Sequence, residues 1–188
     1  MNIQKEIYLI IIGTFIGSLF SIGTTIVAEI IKKKGHIKLY YKIVYSKVLD
    51  RGTWGFRNGP NGFIFEVPLW IEMQNTSNTV RIIRDLNILL FKDGKELTQM
   101  TQINKNSNES YGNEGAYSFV LQPRSLKKYD CHFIIEKRKM GENFEFDEIR
   151  LRYFDDKDKM HIFRLETIER CWYSGYLKRD GCWKRVKK

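Results

Sequence analysis

AEIIKKKGHIKLYYKIVY, residues Ala28 to Tyr45, is the stretch in which the chain changes its period. Before it the apolar residues are continuous. After Gly35, the residues Ile37, Leu39, Tyr41, Ile43 and Tyr45 alternate with Lys38, Tyr40, Lys42 and Val44. A period of two puts alternate side chains on opposite faces, so this is a half-buried strand. Only Gly35 separates it from the lysines that close the apolar segment. The chain therefore reads as a β domain fastened to a helix without a flexible tether.

Toward the N-terminus, Ile7 to Ala28 is a run of 22 residues without a charged side chain, followed by Glu29 and then Lys32, Lys33 and Lys34. A helix rises about 1.5 Å per residue and a hydrocarbon core is about 30 Å thick, so roughly 20 apolar residues span it. A cleaved signal peptide has a shorter apolar core, positive charge before it and a small-x-small site after it. Here only Lys5 precedes the run, beside Glu6, and Ile26 to Ile31 offers no such site. An uncleaved span is expected. Lysines near a span stay on the cytoplasmic side, which predicts the N-terminus outside and the β domain in the cytoplasm, at the cell membrane. The organisation expected is a flank over 1–6, a transmembrane helix over 7–31, a basic juxtamembrane segment over 32–36, a β domain over 37–170 and a basic tail over 171–188.

Toward the C-terminus, Arg57 to Gly62 (RNGPNG) reads as a turn before a strand in which Phe63, Phe65, Val67, Leu69, Ile71 and Met73 share one face. Pro68 has no N–H to give a ladder, so an edge or a bulge is expected there. Asn75 to Asn78 is a turn, Arg81 to Phe91 a strand and Lys92-Asp93-Gly94-Lys95 a hairpin turn. A return strand over 96–103, a polar loop over 104–115 of mobile composition, and strands at 117–121, 129–135, 149–154 and 161–165 follow. Asp155 to Lys159 joins the last two strands as a charged hairpin. About eight short strands with no helical pattern between them predict a mainly β fold, an antiparallel β-sandwich with a small β-barrel as the alternative.

The net charge is +10, which with ten Tyr and twelve Phe first suggests nucleic-acid binding. The charge is not spread that way. Residues 1–31 carry −1, residues 32–38 carry +4, residues 39–177 carry +2 and residues 178–188 carry +5. A nucleic-acid reader needs its excess across a folded face, so nucleic acid is not the expected partner. Lys32, Lys33, Lys34 and Lys38 sit where anionic headgroups would meet them, at about 1 kcal/mol each. Trp183, Lys184, Arg185, Lys187 and Lys188 form a tail that reads equally as a solvated terminus or a headgroup contact.

Chemistry-bearing residues are few. Cys131, Cys171 and Cys182 are odd in number and lack zinc-ligand spacing, which suits a reducing compartment. His132 and His161 read as outward-facing strand histidines, and His36 is juxtamembrane. Cys131 and His132 are sequence neighbours on a strand and face opposite ways, so they form no dyad. Asp155, Asp156 and Asp158 lack the glycine and distal glutamate of an EF-hand loop. With no phosphate-cradling glycine loop and no G-x-S-x-G, neither a catalytic set, a metal site nor a cofactor is expected.

The run Val67-Pro68-Leu69-Trp70-Ile71-Glu72-Met73-Gln74-Asn75, then Arg84 to Phe91 with Asp93-Gly94, then Leu121-Gln122-Pro123-Arg124-Ser125, resembles the immunoglobulin-like β-sandwiches of bacterial membrane-anchored proteins. The resemblance covers about residues 36–165 and implies a fold without a chemistry. In architecture the chain is also similar to membrane-anchored β-barrel effectors of bacterial cyclic-nucleotide anti-phage systems. Those look like two-span anchors, where this chain has one.

Within the span, Gly13, Gly17, Ser21 and Thr25 recur every four residues on one helix face. Small residues let helix backbones approach in lipid, so this stripe predicts homo-oligomers. Three functions follow as expectations. The first is an anchored binding module for an unknown protein or small ligand; the alternatives are a ligand-gated membrane-disrupting effector and an accessory subunit of an enzyme.

Overall fold

The structure, a computed structural model, describes residues 3–43, 54–59, 62–103, 110–112, 117–141, 145–168 and 182–187. Helix α1 (Ile3–Lys33) has 31 residues, about 46 Å of helix, and every side chain described along it is exposed. It is long and apolar enough to cross a membrane. Thr14, Ser18, Thr24 and Thr25 turn their hydroxyls back onto helix carbonyls one turn earlier, which hides those polar groups from an apolar surrounding.

The rest is mainly β, in two antiparallel sheets. The strands in chain order are β1 (Ile37–Ile43), β2 (Gly55–Gly59), β3 (Gly62–Asn75), β4 (Arg81–Lys92), β5 (Lys95–Gln99), β6 (Thr101–Ile103), β7 (Ser110–Gly112), β8 (Phe119–Leu121), β9 (Leu126–Glu136), β10 (Glu148–Phe154), β11 (Met160–Thr167) and β12 (Lys184–Arg185). The larger sheet runs β12-β1-β3-β9-β6-β7, with β2 also on β3. The smaller runs β11-β10-β4-β5, with β8 on the start of β4. Leu39, Tyr41, Phe65, Leu69, Ile71, Cys131 and Phe133 of the first pack in one core with Ile83, Ile88, Leu90, Ile149, Leu151 and Leu165 of the second. Outside β4, whose alternation breaks at Asp85 with φ 47, these are alternate positions of their strands, so period two selects the face that the sheets bury against each other.

Five expectations are corrected. The stretch before Pro60 is not all turn: β2 pairs Gly55 through Gly59 with β3, its Gly and Asn content hiding the strand in the sequence. Residues 96–103 are two strands, not one. Leu90 and Leu89 hold β5, and after the buried Met100 the chain passes to the other sheet, where β6 pairs with β9. Pro68 is neither at a strand edge nor at a register shift against β9, where it faces His132. Instead it falls between the ends of two partners on its other side, β1 reaching Leu69 and β2 starting at Glu66. The Pro68 carbonyl points to that side and accepts from Trp54 Nε1 at 3.0 Å, so the N–H that proline lacks would have faced the gap. Twelve strands are described where eight were expected. Lastly, the described part of the tail is not a solvated end but an added strand on β1. Most of the polar loop over 104–115 lies outside the described residues; its 110–112 segment pairs with β6.

Candidate functional site

The helix does not hang from the domain. It is spliced to it. Gly35 has φ +134, and a Cβ there would lie 2.7 Å from Ser77 Cα, so only glycine lets the chain leave the helix against the β3–β4 turn. His36 and Thr76 then bind each other three times: the His36 N–H donates to Thr76 Oγ1 at 2.9 Å, and the Thr76 hydroxyl and N–H donate to the His36 carbonyl at 2.8 and 3.1 Å. The Asn78 N–H donates to the Lys32 carbonyl at 3.3 Å, taking up one of the open carbonyls of the helix end. Asn75 builds the turn itself, its carboxamide oxygen accepting from the Ser77 N–H and hydroxyl and its nitrogen donating to the carbonyls of Thr79, Leu121 and Gln122.

Beside this splice opens a cavity of about 800 Å³, walled by the start of β1, the β10–β11 hairpin, Arg81 and the tail. That volume is in the range of small-molecule sites, roughly 300–1,000 Å³. Two features define its chemistry. The first is charge: six lysines and arginines line it against two aspartates, a net +4 from these eight side chains. The second is an aromatic wall in which His161 lies 4.9 Å from Tyr153 and 6.2 Å from Phe163, the rings close to parallel.

The tail makes the site possible. Arg185 and Lys184 pair with Tyr40 and Tyr41 of β1, and the Val186 N–H donates to the Leu39 carbonyl at 2.9 Å. Lys184 binds Glu166 at 2.7 Å, and Glu166 sits 2.9 Å from the Tyr41 hydroxyl, which donates to the Leu165 carbonyl at 2.7 Å. These bonds bridge the two sheets. They also carry Arg185 and Lys187 to the same groove as Lys38, so the two basic patches at opposite ends of the sequence converge.

Both aspartates of the groove are engaged. Asp155 Oδ1 accepts from the amides of Lys157 and Lys159 at 2.9 and 3.0 Å, and Oδ2 lies 2.7 Å from His161 Nε2. Burial pushes the Asp155 carboxyl up, but the bonds from His161 and the two amides outweigh it and hold the group below its ordinary value. Asp156 receives Arg81 Nη1 at 3.1 Å, and Arg81 Nε donates to Ser77 Oγ at 3.3 Å. Arg81 thus touches both the groove and the turn that grips the helix. Burial, then the charge of Asp155, pushes Tyr153 up to about 12, so its hydroxyl stays neutral.

His161 is the main correction among the candidate residues. It faces Tyr153 across β10–β11 and shares the inward face with Phe163 and Leu165, instead of pointing to solvent. Counting in twos from Leu165 would have placed it there. His132 does lie on the outer face, largely covered, with Nε2 4.0 Å from Glu66. Of the residues assigned to the membrane surface, Lys38 lines the groove, Lys32 and Lys34 are exposed, and the Lys33 side chain is outside the described set. Lys32 also lies 3.8 Å from Glu29. In the tail, Trp183 is half-buried, Lys184, Arg185 and Lys187 stand as above, and Lys188 and Cys171 lie outside the described residues. Gly13, Gly17, Ser21 and Thr25 share one exposed face of α1, with nothing within 4 Å of a Cβ at either glycine. Asp158 pairs with Arg84, so the three aspartates of the hairpin serve the fold and the groove wall. No family model matches this chain, and no curated protein matches it.

Proposed function

We propose that the chain is a single-pass membrane-anchored binding module, its β domain in the cytoplasm and its groove beside the membrane receiving a ligand. The observation that carries this reading is the splice: Gly35, His36 and Thr76 fix the domain against the end of the helix and hold the groove mouth next to the residues that leave the span. The lysines at that helix end support the cytoplasmic side. The small-residue stripe supports pairing of spans into homo-oligomers.

Cys182 is exposed and Cys131 is buried, which gives a test in a Cys171→Ser background. A membrane-impermeant maleimide is expected to label Cys182 in inverted vesicles and not in sealed right-side-out ones. The reverse pattern would put the domain outside. Crosslinking of the intact protein is expected to trap oligomers that Gly17→Leu removes; oligomers that persist unchanged would refute the stripe.

A second reading has one observation in its favour. Arg81 joins the groove, through Ser77, to the turn that holds the helix end. In that reading a ligand drives the spans to cluster and disturb the membrane, as a toxic effector does. Toxicity on expression that needs the span would support it, and benign accumulation would favour the binding module.

A further inference from the structure

We infer that the groove between β1, the β10–β11 hairpin and the tail is a binding site for a phosphate-bearing ligand that also has an apolar or ring portion. This rests on the reading of the groove as the module's binding surface.

The argument begins with the cations. Lys38 on β1, Lys157 and Lys159 on the hairpin, and Arg185 and Lys187 on the tail come from three separate segments and line one concavity. None of the five has an ion-pair partner among the described residues, whereas Arg81, the sixth, is matched to Asp156. Like charges gathered around one concavity repel one another, more weakly where they are exposed, as Lys157, Lys159, Arg185 and Lys187 are. A multiply charged oxyanion offsets that repulsion, and phosphate presents several acceptor oxygens to donors arriving from different directions. A single carboxylate would leave most of the cations unanswered.

The remainder of the wall sets the rest of the ligand. Tyr153, Phe163, Ile37, Leu39 and Val186 line the same cavity, so one part of it is apolar and partly aromatic. The neutral Tyr153 adds no negative charge to repel a phosphate. Two sources carry this chemistry: a soluble organic phosphate, or the headgroup of a phosphorylated lipid, which the position beside Gly35 and His36 would let enter from the bilayer.

The test uses the full chain in phosphatidylcholine nanodiscs, titrated with three probes by calorimetry: inorganic pyrophosphate, ATP, and dioctanoyl phosphatidylinositol 4-phosphate, with dioctanoyl phosphatidylcholine as the blank. Saturable binding of the first two identifies a soluble phosphate; binding of the phosphorylated lipid alone identifies a headgroup. In either case Lys38→Glu with Arg185→Glu is expected to weaken binding by about tenfold or more, because charged hydrogen bonds are lost. Lys95→Glu, exposed at the start of β5, is expected to leave it unchanged. If the double reversal lowers the melting temperature without ligand, Lys157→Ala with Lys159→Ala replaces it, both being exposed. Binding of none of the probes, or a groove variant no weaker than Lys95→Glu, overturns the proposal. Absence of binding in a protein whose Cys182 still labels only in inverted vesicles removes the phosphate and spares the anchored module. A reversed labelling pattern removes the cytoplasmic module whatever the probes do.

Discussion

Asp155 closes a hairpin and orients a histidine with one carboxylate, and both tasks need the charge. Its folded-state value is lowered, so the stability it contributes is full above the unfolded value of about 3.8 and is lost as the pH falls through the lower folded one. Asp155→Asn is therefore expected to melt below wild type at neutral pH. The gap should close on acidification below that unfolded value; a gap of constant size in a pH series of melting curves would show that the charge is not the cause. Little of this was legible in the sequence. The hairpin was, because five charged residues between two apolar strands leave few other readings. The role of His161 was not, since it depends on which face of β11 meets Tyr153, and a strand's register comes from its neighbour. Gly35 reads as a spacer, yet its reason is the backbone of Ser77 some forty residues on.

At the scale of elements, the sequence disclosed those that stand on their own period. β1, β3, β9, β10 and β11 carry stretches with apolar residues at every second position, β4 a continuous apolar run over 88–91, and all six were placed to within a few residues. β2, β7 and β12 are short and polar or Gly-rich; β2 and β12 form on longer strands, β3 and β1, and β7 on the equally short β6. β12 is the consequential one. It covers the edge of β1, which would otherwise present unpaired backbone groups. Val186 packs against the core from there. Val186→Asp is expected to cost roughly 1–3 kcal/mol, from lost apolar burial and a charge placed at the core margin. It should also release the tail, which limited proteolysis after the described domain would detect. An unchanged melting curve and unchanged cleavage would mean that the strand contributes nothing to the fold.

The whole molecule joins an exposed apolar helix to a two-sheet sandwich through a junction with no slack, and that junction has the consequence of a gear. Turning the helix about its axis must turn the domain, because Gly35 and the His36–Thr76 bonds leave no swivel between them. Where spans pair along Gly13 to Thr25, the facing direction of every groove is therefore set by the phase between that stripe and Gly35. One alanine inserted after Ala28 advances the phase by about 100°, and four bring it back to within about 40°. Crosslinking between Cys182 residues of paired copies should be lost with the first insertion and largely recovered with the second. A pattern indifferent to both would mean that the gear slips. If it holds, the span is a dial as much as an anchor, and the length of a membrane segment decides which way a site looks.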